Sequence, residues 1–159
     1  MTAATVIRAE IDAVLADWAY HLDHGQLDER AGLFTEDALF VTGAVELRGR
    51  VKIKNRYLER TVVRTTRHTY SGLRVSAVEG DSETVPAADG GAARPLRVRA
   101  WSTWVNYAAN AAPPVDDVGV YVVADFDDVL TWCADGRWRI SERRIIPVFR
   151  DLARAPITG

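Results

Sequence analysis

The chain has one cysteine, Cys133, in 159 residues. That excludes an intrachain disulfide and any zinc site built on cysteines. No apolar run approaches the ~20 residues that span a bilayer. The opening stretch, MTAATVIRAEIDAV, has no basic region ahead of an apolar one, so the protein is expected to be cytoplasmic. Neither sign of charge dominates: 20 Lys and Arg residues oppose 22 Asp and Glu, for a net charge of −2. Nothing in that balance favours nucleic acid or an anionic membrane as a partner. Glycine-rich phosphate loops, H-E-x-x-H and G-x-S-x-G are all absent. Histidine is rare, with three copies. His21 and His24 stand three apart near a helix end without an evident third ligand. No cofactor and no metal are expected.

What is present reads as one ordinary globular domain over 1–159, with 48% apolar and 26% charged residues. Ile7, Ile11, Val14, Leu15, Trp18 and Leu22 recur at helical spacing and predict a helix over 5–24, with Thr5 as its N-cap. Ala9, Ala13, Ala16 and Ala19 form a second row that would let another surface approach closely. A short helix is expected over 26–34, with Leu27, Ala31 and Phe34 inward. Strands follow at 36–43 and 44–49, then a helix over 50–63 with Val51, Leu58 and Val62 inward. The pattern then changes to period two. Strands are expected at 67–78, 95–108, 118–133 and 137–149, with Asp-Gly in "ADGR" forming a tight hairpin turn. The links 79–94 and 108–117 are rich in Ala, Pro and Gly and read as exposed loops, at the pocket mouth or an oligomer edge. Three helices followed by a strongly bent antiparallel sheet make an α+β cone, and the hollow between sheet and helices is the default ligand site.

The order "HLDHGQLDERAGLFTEDALFV", then "RG" and a helix, then "TRHTYSGLRV", then "DDVLTWCADGRWRISERRI" resembles the SnoaL-like, scytalone dehydratase-like branch of the nuclear transport factor 2-like superfamily. The resemblance covers residues 5–150. It implies that an aspartate near the end of the first helix, here Asp23, orients a histidine at the start of a strand, here His68. The chemistry suits the pair: an imidazole can take a proton α to a carbonyl and return it to a leaving hydroxyl. A carboxylate on its other nitrogen fixes the tautomer. The match is incomplete. The long strand "VRAWSTWVNY" lacks the second histidine of scytalone dehydratase, and Phe40 and Val41 stand where a tyrosine is expected.

Tyr20, Tyr57, Asn106 and Tyr121 could supply polar contacts instead, or be core residues. Trp101 and Trp104, with Trp18 and Phe34, could form an aromatic wall or ordinary core. In "ADFDDV", Asp125 and Asp127 share one face of the strand and Asp128 with Phe126 the other. These carboxylates either pair with arginines of "RWRISERR", or Asp125 or Asp127 faces the hollow as a second acid.

Three functions compete. The first is a cofactor-independent lyase or isomerase, of dehydratase or cyclase type, acting on a small hydrophobic carbonyl compound. The second is a structural β subunit of a ring-hydroxylating dioxygenase. The third is a non-catalytic binding protein. In "VYVVADFDDVLTW" both parities are apolar, so the outer face of the sheet is expected to make a homodimer or homotrimer.

Overall fold

The computed structural model describes residues 2–86 and 93–158. Helix α1 (Ala3–Asp23) leads to the short helix α2 (Leu27–Gly32), strands β1 (Phe34–Thr42) and β2 (Val45–Arg48), and helix α3 (Arg50–Leu58). Strand β3 (Thr65–Ala77), the two-residue strands β4 (Thr84–Val85) and β5 (Arg94–Pro95), and strands β6 (Arg97–Ala109), β7 (Val120–Trp132) and β8 (Trp138–Arg150) complete the sheet region. A 3₁₀ turn at Leu152–Arg154 follows. No helix among the described residues is long and apolar enough to cross a membrane.

The six-stranded sheet has the order β2-β1-β8-β7-β6-β3, while β4 and β5 pair only with each other. It is curved and open, so the expected α+β cone is found and the sheet does not close into a barrel. One seam departs from an antiparallel sheet: β1 runs parallel to β8. The N-terminal hairpin adds to the last strand of the chain, a pairing between distant segments that alternation cannot reveal.

Curvature has local causes. The register of β3 on β6 shifts between Ser71 and Arg74. Gly72 sits there at φ 66°, a conformation costly for any side chain. A bulge of this kind bends the strand and strengthens its twist. Two further register shifts lie between β7 and β8. At the other end of that pair, the "ADGR" hairpin forms as expected. Gly136 has φ 74°, and its N–H donates to Cys133 O at 2.9 Å.

The helices lie on the concave face. Helix α1 buries Ile7, Ile11, Leu15, Trp18 and Leu22 against the sheet, as its periodicity requires. Its cap is Thr2, whose hydroxyl accepts from Thr5 N–H at 3.3 Å, so Thr5 lies inside the helix. Ala9, Ala13 and Ala16 are exposed, and of the alanine row only Ala19 packs into the core. Phe34 begins β1 rather than ending α2. Helix α3 stops at Leu58, leaving Val51 and Leu58 67% and 60% exposed. It turns Ile53 and Tyr57 inward instead, one helical turn apart, toward the buried Arg30 of α2. That corrects the stripe expected from Val51, Leu58 and Val62.

Candidate functional site

The bend of the sheet leaves a cavity of about 390 Å³ beneath α1 and α3. That is within the range of small-molecule sites, roughly 300–1,000 Å³. Its floor is aromatic. Trp104 of β6 stacks on Phe126 of β7 at 4.8 Å, and Trp18 of α1 meets both edge-on at 5.3 and 5.6 Å. Alternation places these side chains there: Val98, Ala100, Ser102 and Trp104 are buried on one face of β6, with Asn106 next in the same row.

His68 lines this cavity from β3, and only 7% of its side chain is exposed. Its Nδ1 lies 2.6 Å from Oδ1 of Asp23, the last residue of α1. Two further donors hold the carboxylate: the Thr66 hydroxyl reaches Oδ1 at 2.7 Å, and the backbone N–H of His68 reaches Oδ2 at 2.7 Å. Burial by itself would push the Asp23 carboxyl up. The hydrogen bond and charge of His68, with the donors from Thr66 and the His68 backbone, outweigh it and hold the group below its ordinary value. An ionised carboxylate is acceptor-only, so Nδ1 carries the proton and donates it to Asp23. In the neutral ring Nε2 keeps its lone pair, and no group among the described residues hydrogen bonds it.

Asn106 stands directly across from His68 in the β3–β6 register and also lines the cavity. Its Oδ1 is buried without a partner, as is Nε1 of Trp18. A buried amide and a buried indole N–H left unpaired are groups that a ligand could satisfy. Tyr57, Tyr121 and Phe40 line the same space.

Four other candidates lie elsewhere. Tyr20 is 54% exposed and stacks on His24 at 4.2 Å, because the helix turns it away from the sheet. Trp101 pairs with Asp127 across the strands, and its odd parity puts it on the outer face, opposite Trp104. Asp125 accepts from the Thr103 hydroxyl at 2.8 Å. Asp127 accepts a two-pronged contact from Arg99 at 2.7 and 2.6 Å. Neither acid lines the cavity, so the reading of either as a second acid there is corrected; pairing with arginine was the right alternative for Asp127, though its arginine comes from β6. Asp128 does pair with "RWRISERR", through Arg143 of β8 at 2.8 and 2.7 Å, with both side chains fully buried. Phe34 is buried but forms no part of the cavity wall.

The cavity also recruits residues that the sequence did not suggest: Thr66 behind the dyad, Arg56, Arg60 and Arg150 around the opening, and Pro156 and Thr158 from the chain end. The tail is fastened there by Thr61 N–H to Ile157 O at 3.1 Å and by Asn110 Nδ2 to Ala155 O at 2.8 Å. No local pattern marks any of them. The described parts of the links 79–94 and 108–117 do not line the cavity; residues 87–92 of the first lie outside the described residues.

A family model described as a SnoaL-like domain matches residues 4–144. Several solved structures share the fold. A candidate scytalone dehydratase from Novosphingobium aromaticivorans is 19% identical, covering 98% of this chain and 92% of that one, with a TM-score of 0.73. ActVI-ORFA from Streptomyces coelicolor is 20% identical over 89% and 97% of the two chains, with a TM-score of 0.69. The β subunit of a candidate aromatic-ring-hydroxylating dioxygenase from Novosphingobium aromaticivorans is 19% identical over 98% and 100%, with a TM-score of 0.68. At these identities the likeness is one of fold. A comparison with curated proteins found no match.

Proposed function

The chain belongs to the SnoaL-like family, and from that premise and the site geometry we propose that it is a cofactor-independent lyase or isomerase acting on a small, largely apolar carbonyl compound. The observation that carries this reading is the buried Asp23–His68 pair, with an imidazole nitrogen left unpaired at an aromatic cavity. A candidate dehydratase and a candidate dioxygenase β subunit share the fold at similar TM-scores. A structural subunit has no need of a base held in one tautomer beside an aromatic cavity.

The chemistry follows from the atoms. His68 Nε2 takes a proton from the carbon next to the ligand's carbonyl, and the C–H electron pair becomes an enolate. Asp23, as a positioning residue, holds the ring and stabilises the imidazolium. In a dehydration, the enolate collapses to a C=C bond as the C–O bond to a β-hydroxyl breaks. The imidazolium gives its proton to the departing oxygen, releasing water and restoring neutral His68. One imidazole serving both steps requires the proton and the hydroxyl on the same face of the ligand. In an isomerisation the proton returns to a different carbon. The unpaired Oδ1 of Asn106, across the strand from His68, can accept from a hydroxyl of such a ligand, and the unpaired Trp18 Nε1–H can donate to its carbonyl oxygen.

Proton abstraction can be tested without the natural substrate. Exchange of the acidic α-protons of 2-tetralone in deuterated buffer, followed by NMR, should be accelerated by the protein and fall to the buffer rate with His68→Ala. Equal exchange by the wild type and a folded His68→Ala variant sinks the proposal.

Self-association through the outer sheet face belongs to the same reading. That face carries Trp101, Val123, Ile146 and Val148, the last two 44% and 51% exposed. A homodimer or homotrimer is expected in sedimentation velocity at micromolar concentration, and a strict monomer would exclude it.

A further inference from the structure

The wall of the cavity away from His68 is strongly cationic. Arg56 and Arg60, from α3 and the residues just after it, and Arg150, at the end of β8, all line the space, and among the described residues no aspartate or glutamate does. Arg56 has a loose, exposed contact with Glu59 at 3.4 Å. Arg60 and Arg150 make no ion pair among the described residues.

Two more arginines stand behind this wall. Arg30 is fully buried without a carboxylate: it donates to Ile53 O and lies 3.6 Å from the Tyr57 ring centroid. Its Nε and Nη1 find no partner. Arg64 lies over the Tyr121 ring at 5.0 Å and donates to Asn110, and its Nη2 is buried and unpaired. The guanidiniums rest on tyrosine faces and amides rather than on anions. Burial, followed by the charge of Arg60, pushes Arg64 down to about 10. Arg60 is itself lowered by burial and by the charges of Arg30 and Arg56, against the pull of the two tyrosines.

Like charges gathered at a partly dry opening raise the free energy of the empty protein, and an arriving anion relieves it. Guanidinium is also the side chain best shaped to grip a carboxylate with two parallel hydrogen bonds.

We propose that the natural ligand is an anion: its apolar carbonyl portion lies on Trp18, Trp104 and Phe126 beside His68, and a carboxylate is held at the opening by Arg60 and Arg150. This rests on the proposed reading of the cavity as the substrate site and narrows the substrate class to carboxylated, ring-containing carbonyl compounds. A neutral ligand of the same shape would leave the arginines unpaired.

The test uses 2-naphthylacetate and its methyl ester as probes, with binding read by quenching of the tryptophans at the cavity floor. The wild type should bind the acid at least about tenfold more tightly than the ester, and added chloride should weaken the acid alone. Arg60→Gln and Arg150→Gln should each lose most of that preference, while Arg60→Lys, which keeps the charge, should retain part of it. Arg150 is exposed and has no side-chain partner, so its variant should fold even if Arg60→Gln does not. The preference is a ratio of two binding affinities and involves no proton abstraction, so a failure of the catalytic reading leaves this result intact. Equal affinity for acid and ester in the wild type, or an unchanged preference in both glutamine variants, overturns the proposal and leaves Arg60 a structural partner of Tyr57.

Discussion

Two buried carboxylates, Asp23 and Asp128, each hold a nitrogen base at hydrogen-bonding distance, yet the fold uses them differently. Asp128 grips Arg143 with both oxygens, and both side chains are sealed at 0% exposure. Arg143 in turn lies 4.3 Å from the Trp18 ring and 4.8 Å from Phe126, the same aromatics that floor the cavity. Asp23 grips His68, whose other nitrogen is left without a protein partner at that cavity. The first pair is sealed from solvent, with Arg143 Nη1 buried and unpaired among the described residues, and it lines no part of the cavity, so it holds structure. The second leaves one lone pair in reach of a ligand. What separates a scaffold ion pair from a candidate catalytic dyad here is that the unpaired nitrogen of the second faces a cavity a ligand can enter.

The largest expected effect is on the closed pair. Arg143→Met leaves Asp128 buried without a countercharge and should cost about 3–5 kcal/mol, read as a lowered urea midpoint. Adding Asp128→Leu to that variant should recover much of the loss. If the single variant is as stable as the wild type, the two pairs do not differ in the way described.

His68→Ala should show the opposite pattern. The rate of α-proton exchange is expected to fall by up to about 10²–10⁴. Stability should fall by less than about 2 kcal/mol, because Asp23 keeps its bonds to Thr66 and to the backbone N–H. Melting temperature and exchange rate measured on one preparation separate the two effects. A collapse of stability with exchange intact would make this pair structural too.

Asp23→Asn sharpens the comparison through pH. Its carboxyl is held below the ordinary value. Its ionised form therefore contributes stability fully above about pH 4, where an unfolded aspartate ionises. That contribution disappears as the pH falls through the lower folded value. Thermal melts from pH 6 to pH 2 should show the wild type losing more stability than Asp23→Asn in that acid window. Parallel curves would remove the carboxylate from the account.

The smallest effect is expected on the outer face. Asp127→Ala removes a partner from Arg99, which is half exposed, so the loss should be at most about 1 kcal/mol with exchange unchanged. A loss as large as that of Arg143→Met would erase the distinction between sealed and solvated pairs.

The sequence by itself determined which segments form elements and which way most of them face. The period-3.6 stripe of α1, the period-two strands and the Asp-Gly hairpin depend on local spacing and turn chemistry, and each stands as read. The Asp23–His68 pairing was legible through a motif resemblance, since the two are 45 residues apart and nothing local joins them. Parity correctly separated Asp128 from Asp125 and Asp127, but parity alone does not say which face is inside.

Tertiary structure decided that. It put Trp104 in the cavity and Trp101 outside it, turned α3 on Ile53 and Tyr57 instead of its more apolar-looking residues, and laid β1 parallel to β8. It also brought Arg60 and Arg150, 90 positions apart in sequence, to one opening beside the chain end. Such convergence depends on where strands bend and which distant edges pair. A single sequence records the side chains that will meet, while the bulge at Gly72 and the parallel pairing of β1 with β8 decide where they meet.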